Sequence, residues 1–161
     1  AYCKLYKIKA TGLRFFTVYG PMGRPDMAYF KFAKKIMEGQ PIQVYNNGDM
    51  MRDFTYVDDI VTGIFNIINN PPKEDSLGAA YKVYNIGNNK PEKLMDFITI
   101  LEECLDKEAV KEFLPMQPGD VYQTYADVTD LMNDFGFKPD TSLREGLSKF
   151  AEWFKEYYHY N

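Results

Sequence analysis

One histidine and two cysteines among 161 residues leave little for metal or nucleophilic chemistry. His159 lies in an aromatic tail with Tyr157, Tyr158 and Tyr160, where a packing or surface role suffices. Cys3 and Cys104 fit no zinc or thiol-redox spacing, and two cysteines build no disulfide framework. They read as free thiols in a reducing, cytoplasmic setting, and no metal site is expected. Long apolar runs are absent, so no membrane span is expected, and the first residues do not read as a signal peptide. An excess of positive charge is missing too. Nineteen Lys and Arg against 23 Asp and Glu give a net charge of −4, which excludes nucleic-acid binding through bulk charge. A small polyanion can still be held by a few well-placed arginines.

What is present is ordinary globular material: 45% hydrophobic and 26% charged residues, long enough for one domain with a core. Aromatics are abundant at 16%, and most of them can serve as core filling. The pattern reads as α/β. Residues 1–8 have helical spacing (Tyr2, Leu5, Tyr6, Ile8) without an N-terminal cap. Residues 12–18 are apolar on both faces, as a buried parallel strand is. Helices are expected over 27–38, stopped by Gly39; from Asp58-Asp59 to about 69, stopped by Pro71-Pro72; over 91–105; over 128–135, capped by Asp127; and over 143–158, capped by Ser142. Short strands are expected at 42–45, 52–56, 80–86 and 110–114, with turns at Asn46-Asn47-Gly48 and Gln117-Pro118-Gly119-Asp120.

The strand at 12–18 ends in Thr-Val-Tyr-Gly-Pro-Met-Gly-Arg-Pro-Asp, with polar groups gathered where it stops. Carboxyl ends of strands open onto ligand crevices in α/β proteins. Arg24 and Arg52 lie in turns and Lys31 on the following helix. Such cations suit a pyrophosphate or a carboxylate, although each can also be plain surface charge. Asp120 after Gly119 can meet ribose hydroxyls or cap its own turn. Tyr45 can stack on a base or fill the core. None of the eleven glycines completes a dinucleotide phosphate loop, and no Tyr-x-x-x-Lys pair exists to share a helix face for proton transfer.

Leu-Arg-Phe-Phe-Thr-Val-Tyr-Gly-Pro (13–21), Gly-Arg-Pro-Asp-Met-Ala (23–28), Arg-Asp-Phe-Thr-Tyr-Val-Asp-Asp-Ile (52–60), Tyr-Asn-Ile-Gly (84–87) and Gln-Pro-Gly-Asp-Val (117–121) resemble the extended short-chain dehydrogenase/reductase family. The wording is most similar to UDP-glucuronate 4-epimerases, over essentially the whole chain. The resemblance implies the C-terminal, substrate-binding part of such an enzyme, with the last strand of its Rossmann-type cofactor domain. Residues 1–20 would close the NAD-binding domain and 21–161 would form the nucleotide-sugar domain. In full-length relatives NAD takes a hydride from C4 of the sugar and returns it to the other face, interconverting UDP-glucuronate and UDP-galacturonate. Carried over, Phe15 and Phe16 would line the nicotinamide side. Thr17 would meet the hexose or its carboxylate, and Arg24 and Lys31 sit where relatives place cations for sugar or phosphate groups. Gln43, Val44 and Tyr45 would run along the uracil through backbone groups, Arg52 would reach the pyrophosphate and Asp120 the ribose. Tyr122 departs from the usual proline, and Lys31 replaces an arginine, weakening any two-pronged contact.

No catalytic residue is assigned, and the chain alone is expected to be inactive, its partner being the missing Rossmann half. Full-length protein is expected to be a homodimer. A UDP-hexose 4-epimerase, a dTDP-glucose 4,6-dehydratase relative and a non-catalytic binding module are the alternatives. Without flanking strands, 12–18 would expose an unpaired edge, so self-association or a poorly ordered N-terminus is expected.

Overall fold

The computed structural model describes residues 1–160 as a layered α/β molecule. Three small sheets share the chain. Strand β1 (Ala10–Phe15) pairs in parallel with β5 (Tyr81–Ile86). Strand β2 (Thr17–Tyr19) pairs in parallel with β4 (Met51–Tyr56), whose other neighbour is the antiparallel β6 (Pro91–Lys93). Strand β3 (Ile42–Val44) pairs in parallel with β7 (Lys111–Phe113). The helices are α1 (Tyr2–Tyr6), α2 (Ala28–Met37), α3 (Val57–Ile68), α4 (Leu94–Leu105), α5 (Thr129–Phe135) and α6 (Leu143–Tyr158).

The single strand expected at 12–18 is two strands. The chain leaves the β1–β5 sheet after Phe15 and enters the β2–β4 sheet at Thr17, with Phe16 as the joint. Apolar residues on both faces suit either sheet, so the run of hydrophobicity carries no mark of the change. The helix expected from 91 starts at Leu94, because residues 91–93 are held against β4. Asp127 is not the N-cap of α5. That position is Val128, and the Asp127 carboxylate accepts from the Thr129 N–H at 3.0 Å. Ser142 does cap α6, accepting from the Glu145 N–H at 3.2 Å. The turn at 45–48 is a 3-10 segment in which Asn46 and Asn47 both take left-handed backbone angles.

Two cores result. The larger is aromatic. Tyr19, at the end of β2, meets Tyr29, Phe54, Tyr56 and Phe97 edge-on, and Phe54 stacks on Phe97 with ring centres 4.3 Å apart. Helices α2, α4 and α6 close around it through Phe30, Leu101 and Phe150. The smaller core joins α3, β5 and α5 through Ile60, Ile67, Ile86 and Leu131.

Between the cores lies Asp53, fully buried. Its carboxylate accepts N–H groups of Asn88 (2.8 Å), Asn89 (3.1 Å) and Ala126 (2.9 Å). These bonds offset the desolvation of its charge and tie the end of β5 to the segment entering α5. Because side chains alternate along a strand, Arg52 faces the opposite way.

Candidate functional site

Two cavities flank the junction between β2 and α2. Consecutive residues line one each: Phe16 and Met27 the first, Thr17 and Ala28 the second. The first cavity holds about 370 Å³, and Phe15, Tyr19, Gly20, Pro21, Gly23, Arg24 and Tyr29 also line it. The second holds about 270 Å³. Its apolar base is Phe32, Met50, Phe54 and Leu94, and its polar rim is Thr17, Gln43, Tyr45, Arg52 and Asp120.

Local sequence explains the first cavity. Gly20 has φ near +144°, which an L side chain rarely adopts. A Cβ on Gly23 would lie 1.6 Å from the Tyr29 hydroxyl oxygen. The loop can therefore fold back over Tyr29 only with glycine at 23. Arg24 closes on Asp26, with Nε donating to Oδ1 at 3.1 Å and Nη2 to Oδ2 at 2.5 Å. This hydrogen-bonded pair raises the guanidinium pKa and lowers that of the carboxyl. Both side chains are exposed, so exchange of Asp26 for another carboxylate costs little.

The second cavity collects charge in a more confined place. Arg52 is only 17% exposed, and its Nη2 donates to Asp120 Oδ1 at 2.8 Å. Its Nη1 donates to the carbonyls of Met51 (2.8 Å) and Tyr122 (3.1 Å). A guanidinium carries five N–H groups; these three bonds leave two unpaired among the described residues. On the opposite rim Tyr45 donates to the Gln43 side-chain oxygen at 3.2 Å. A cation, a carboxylate, an amide and a phenol thus surround an apolar floor. That set can hold a phosphate, a diol and a flat heterocycle.

Of the residues singled out in the sequence, Thr17, Gln43, Tyr45, Arg52 and Asp120 converge on this cavity, although they come from four separate segments. Phe15, Phe16 and Arg24 belong to its neighbour. Two residues stand apart from both. Val44 is fully buried in the core, and its carbonyl accepts from the Leu114 N–H at 3.0 Å. Lys31 lies on the exposed face of α2, whose other face buries Tyr29, Phe30 and Phe32. The apolar floor and the part played by Tyr122 were not legible in the sequence, since both depend on contacts between distant segments. Among the described residues there is no group of His, Cys, Asp and Glu able to hold a metal. No helix there is long and apolar enough to cross a membrane.

A model of the NAD dependent epimerase/dehydratase family matches residues 1–87, more than half of the chain. The chain belongs to that family. Over 98% of its length it is 54% identical to protein CapI of Staphylococcus aureus, covering 50% of that protein. It is 44% identical to UDP-glucuronate 4-epimerase 1 of Arabidopsis thaliana over 99% of this chain and 40% of that one. The solved UDP-glucuronic acid 4-epimerase of Bacillus cereus, in complex with UDP-glucuronic acid and NAD, superposes with a TM-score of 0.84 at 35% identity. The match covers 98% of this chain and 48% of the other. The chain therefore has the Rossmann-type α/β fold of the extended epimerases and spans about half the length of the curated relatives it matches.

The family is NAD-dependent, and the residues present fit one edge of such a cofactor. Phe15, 47% exposed at the carboxyl end of β1, and Phe16 give an apolar wall to the first cavity. A glycine loop for the pyrophosphate of the dinucleotide is not among the eleven glycines.

Proposed function

We propose that this chain is the substrate-binding part of an NAD-dependent nucleotide-sugar 4-epimerase acting on UDP-glucuronate and UDP-galacturonate. The observation that carries the reading is the convergence of Thr17, Gln43, Tyr45, Arg52 and Asp120 on one cavity beside the Phe15–Phe16 wall. In this reading Arg52 takes the diphosphate, Asp120 the ribose diol, and Gln43 and Tyr45 the uracil. Thr17 stands at the passage to the first cavity, where the hexose lies. Arg24 on that rim takes the sugar carboxylate by exchange with Asp26. Lys31 and Val44 act at longer range or through the backbone. Support for the substrate comes from relatives named as UDP-glucuronate 4-epimerases and from the neighbour solved with UDP-glucuronic acid and NAD.

NAD, when bound against Phe15 and Phe16, supplies the hydride acceptor for oxidation at C4. The protein's own contribution here is to bind the nucleotide, orient the sugar toward that wall and exclude water from an apolar floor. Proton transfer lies with a tyrosine–lysine pair outside this chain, so the 161 residues alone do not turn over substrate. Residues 1–20 end the cofactor-binding domain, 21–161 form the substrate domain, and β5 returns to pair with β1. The free edge of β1 is where the other half of the sheet attaches, and the assembled enzyme is a homodimer in the cytoplasm.

Calorimetry with UDP tests the reading. Binding by the unmodified chain and its loss in Arg52→Ala are expected, with no UDP-galacturonate formed from UDP-glucuronate and NAD. Absence of UDP binding, or unchanged binding in Arg52→Ala, refutes the substrate assignment. Turnover above a no-protein control refutes the predicted inactivity.

A further inference from the structure

Arg52 is not aimed by β4 alone. The segment from Gly119 to Thr124 runs alongside the strand, Gln123 forming a parallel bridge with Met51, and is fastened to it at several points. The Met51 N–H donates to the Tyr122 carbonyl at 3.0 Å, and the Thr124 N–H to the Met51 carbonyl at 3.2 Å. The same Tyr122 carbonyl accepts from Arg52 Nη1, while Asp120 holds Nη2. The guanidinium therefore has its direction set by this strap. At its middle the strap has one further tie. The Tyr122 hydroxyl donates to Asp49 Oδ1 at 3.1 Å. That hydrogen bond raises the phenol pKa.

Asp49 closes the turn that begins at Tyr45. Its N–H donates to the Asn46 carbonyl at 2.9 Å, and its own carbonyl accepts from the Asn46 side chain. The Tyr122–Asp49 bond therefore links the two rims of the second cavity, the Arg52–Asp120 side and the Gln43–Tyr45 side. No backbone hydrogen bond is donated by the Tyr122 N–H among the described residues. The phenol, not the amide, is what this position adds.

We infer that Tyr122 is a positioning residue for nucleotide diphosphates: through Asp49 it pins the strap that orients Arg52 toward the phosphates. This rests on the proposed UDP site. Without the pin, Asp120 and the Tyr122 carbonyl hold Arg52 less firmly, and the phosphate contact weakens most. The effect expected is selective. In Tyr122→Phe the affinity for UDP falls about three- to tenfold, the range for loss of one hydrogen bond of ordinary strength, since Tyr122 is exposed and solvent weakens its bond to the carboxylate. Affinity for uridine, which keeps the base and ribose but lacks phosphate, falls less than that for UDP.

Calorimetry of the 161-residue chain with UDP and with uridine separates the outcomes. Asp49→Ala is expected to reproduce the loss, and Asp49→Asn, which keeps an acceptor oxygen, to restore binding. Tyr122→Phe combined with Asp49→Ala is expected to be no worse than either alone. Thermal melting of each variant within a degree or two of the parent shows that the fold is intact. Equal loss for UDP and uridine, or UDP affinity unchanged in Tyr122→Phe while the parent binds UDP, overturns the inference and leaves the UDP site standing. Failure of the parent chain to bind UDP overturns both.

Discussion

Alanine at position 146 is expected to destabilise the chain even though it suits a helix better than glycine does. Gly146 lies in the second turn of α6, and in an open helix the exchange gains about 1 kcal/mol. Here the new Cβ would sit 2.2 Å from the Tyr19 hydroxyl oxygen and 2.7 and 2.8 Å from two ring carbons. Tyr19 cannot retreat. It is 1% exposed, and four aromatic rings surround it at centre distances of 5.8 to 6.4 Å. Overpacking of this kind costs about 1–3 kcal/mol, and more when a backbone element must move. The contact falls far inside van der Waals range, so the upper end applies. The net loss is about 1–2 kcal/mol, or about 3–6 °C in Tm for a chain of this size. Thermal and urea unfolding followed by circular dichroism measure it. Tyr19→Phe offers a control. It removes the closest atom, a buried hydroxyl with no hydrogen-bond partner among the described residues. Such a group costs about 1–3 kcal/mol to bury, so Tyr19→Phe alone is expected to raise stability and to reduce the loss caused by Gly146→Ala. A Gly146→Ala chain as stable as the parent, or more so, refutes the reasoning.

Two further outcomes are expected. Hydrogen bonds from Lys82 and Tyr84 hold the Asp134 carboxyl below the usual carboxylate range. Its contribution to stability is present above the unfolded value of about 4 and is lost as pH falls through the depressed folded value. Asp134→Asn is therefore expected to flatten the decline of stability between about pH 5 and 2; parallel curves for parent and variant count against it. Separately, Val61, Phe65 and Ile68 form an apolar stripe on the outer face of α3, each more than half exposed. Sedimentation of the purified chain is expected to show association that weakens in Phe65→Glu; a monomer at every concentration tested would sink this.

Much of the local structure could be read in the sequence because its causes are local. Ser142 capping α6, and Gly39 following α2 with a left-handed backbone, depend on neighbours a few residues away. The change of sheet at Phe16 and the strand at Pro91–Lys93 depend on partners 37 or more residues distant in the chain. No residue type announces them. The candidate site divides along the same line. Residue chemistry pointed to Arg52, Asp120, Tyr45 and Thr17, the family resemblance added Gln43, and folding brings them to one cavity. The same chemistry pointed to Arg24 and Lys31, which stay outside that cavity: Asp26, two residues on, captures Arg24, and the amphipathic turn of α2 leaves Lys31 on the solvent side. Tyr122 stood out only as a residue in an unusual place. Its partner Asp49 lies in a different turn, and nothing in either stretch couples them.

The joint at Phe16 restricts chain length here more than residue type. Residues 10–15 are locked in register with 81–86, and residues 17–19 with 54–56. One added or deleted residue between them would leave the first ladder intact. The second would slip by one position, turning Thr17 off the cavity and taking the buried Tyr19 out of its ring of aromatics. Substitutions can be absorbed at this stretch by adjusting neighbours, but insertions and deletions cannot. A one-residue insertion or deletion at Phe16 is therefore expected to destabilise the chain more than a substitution there.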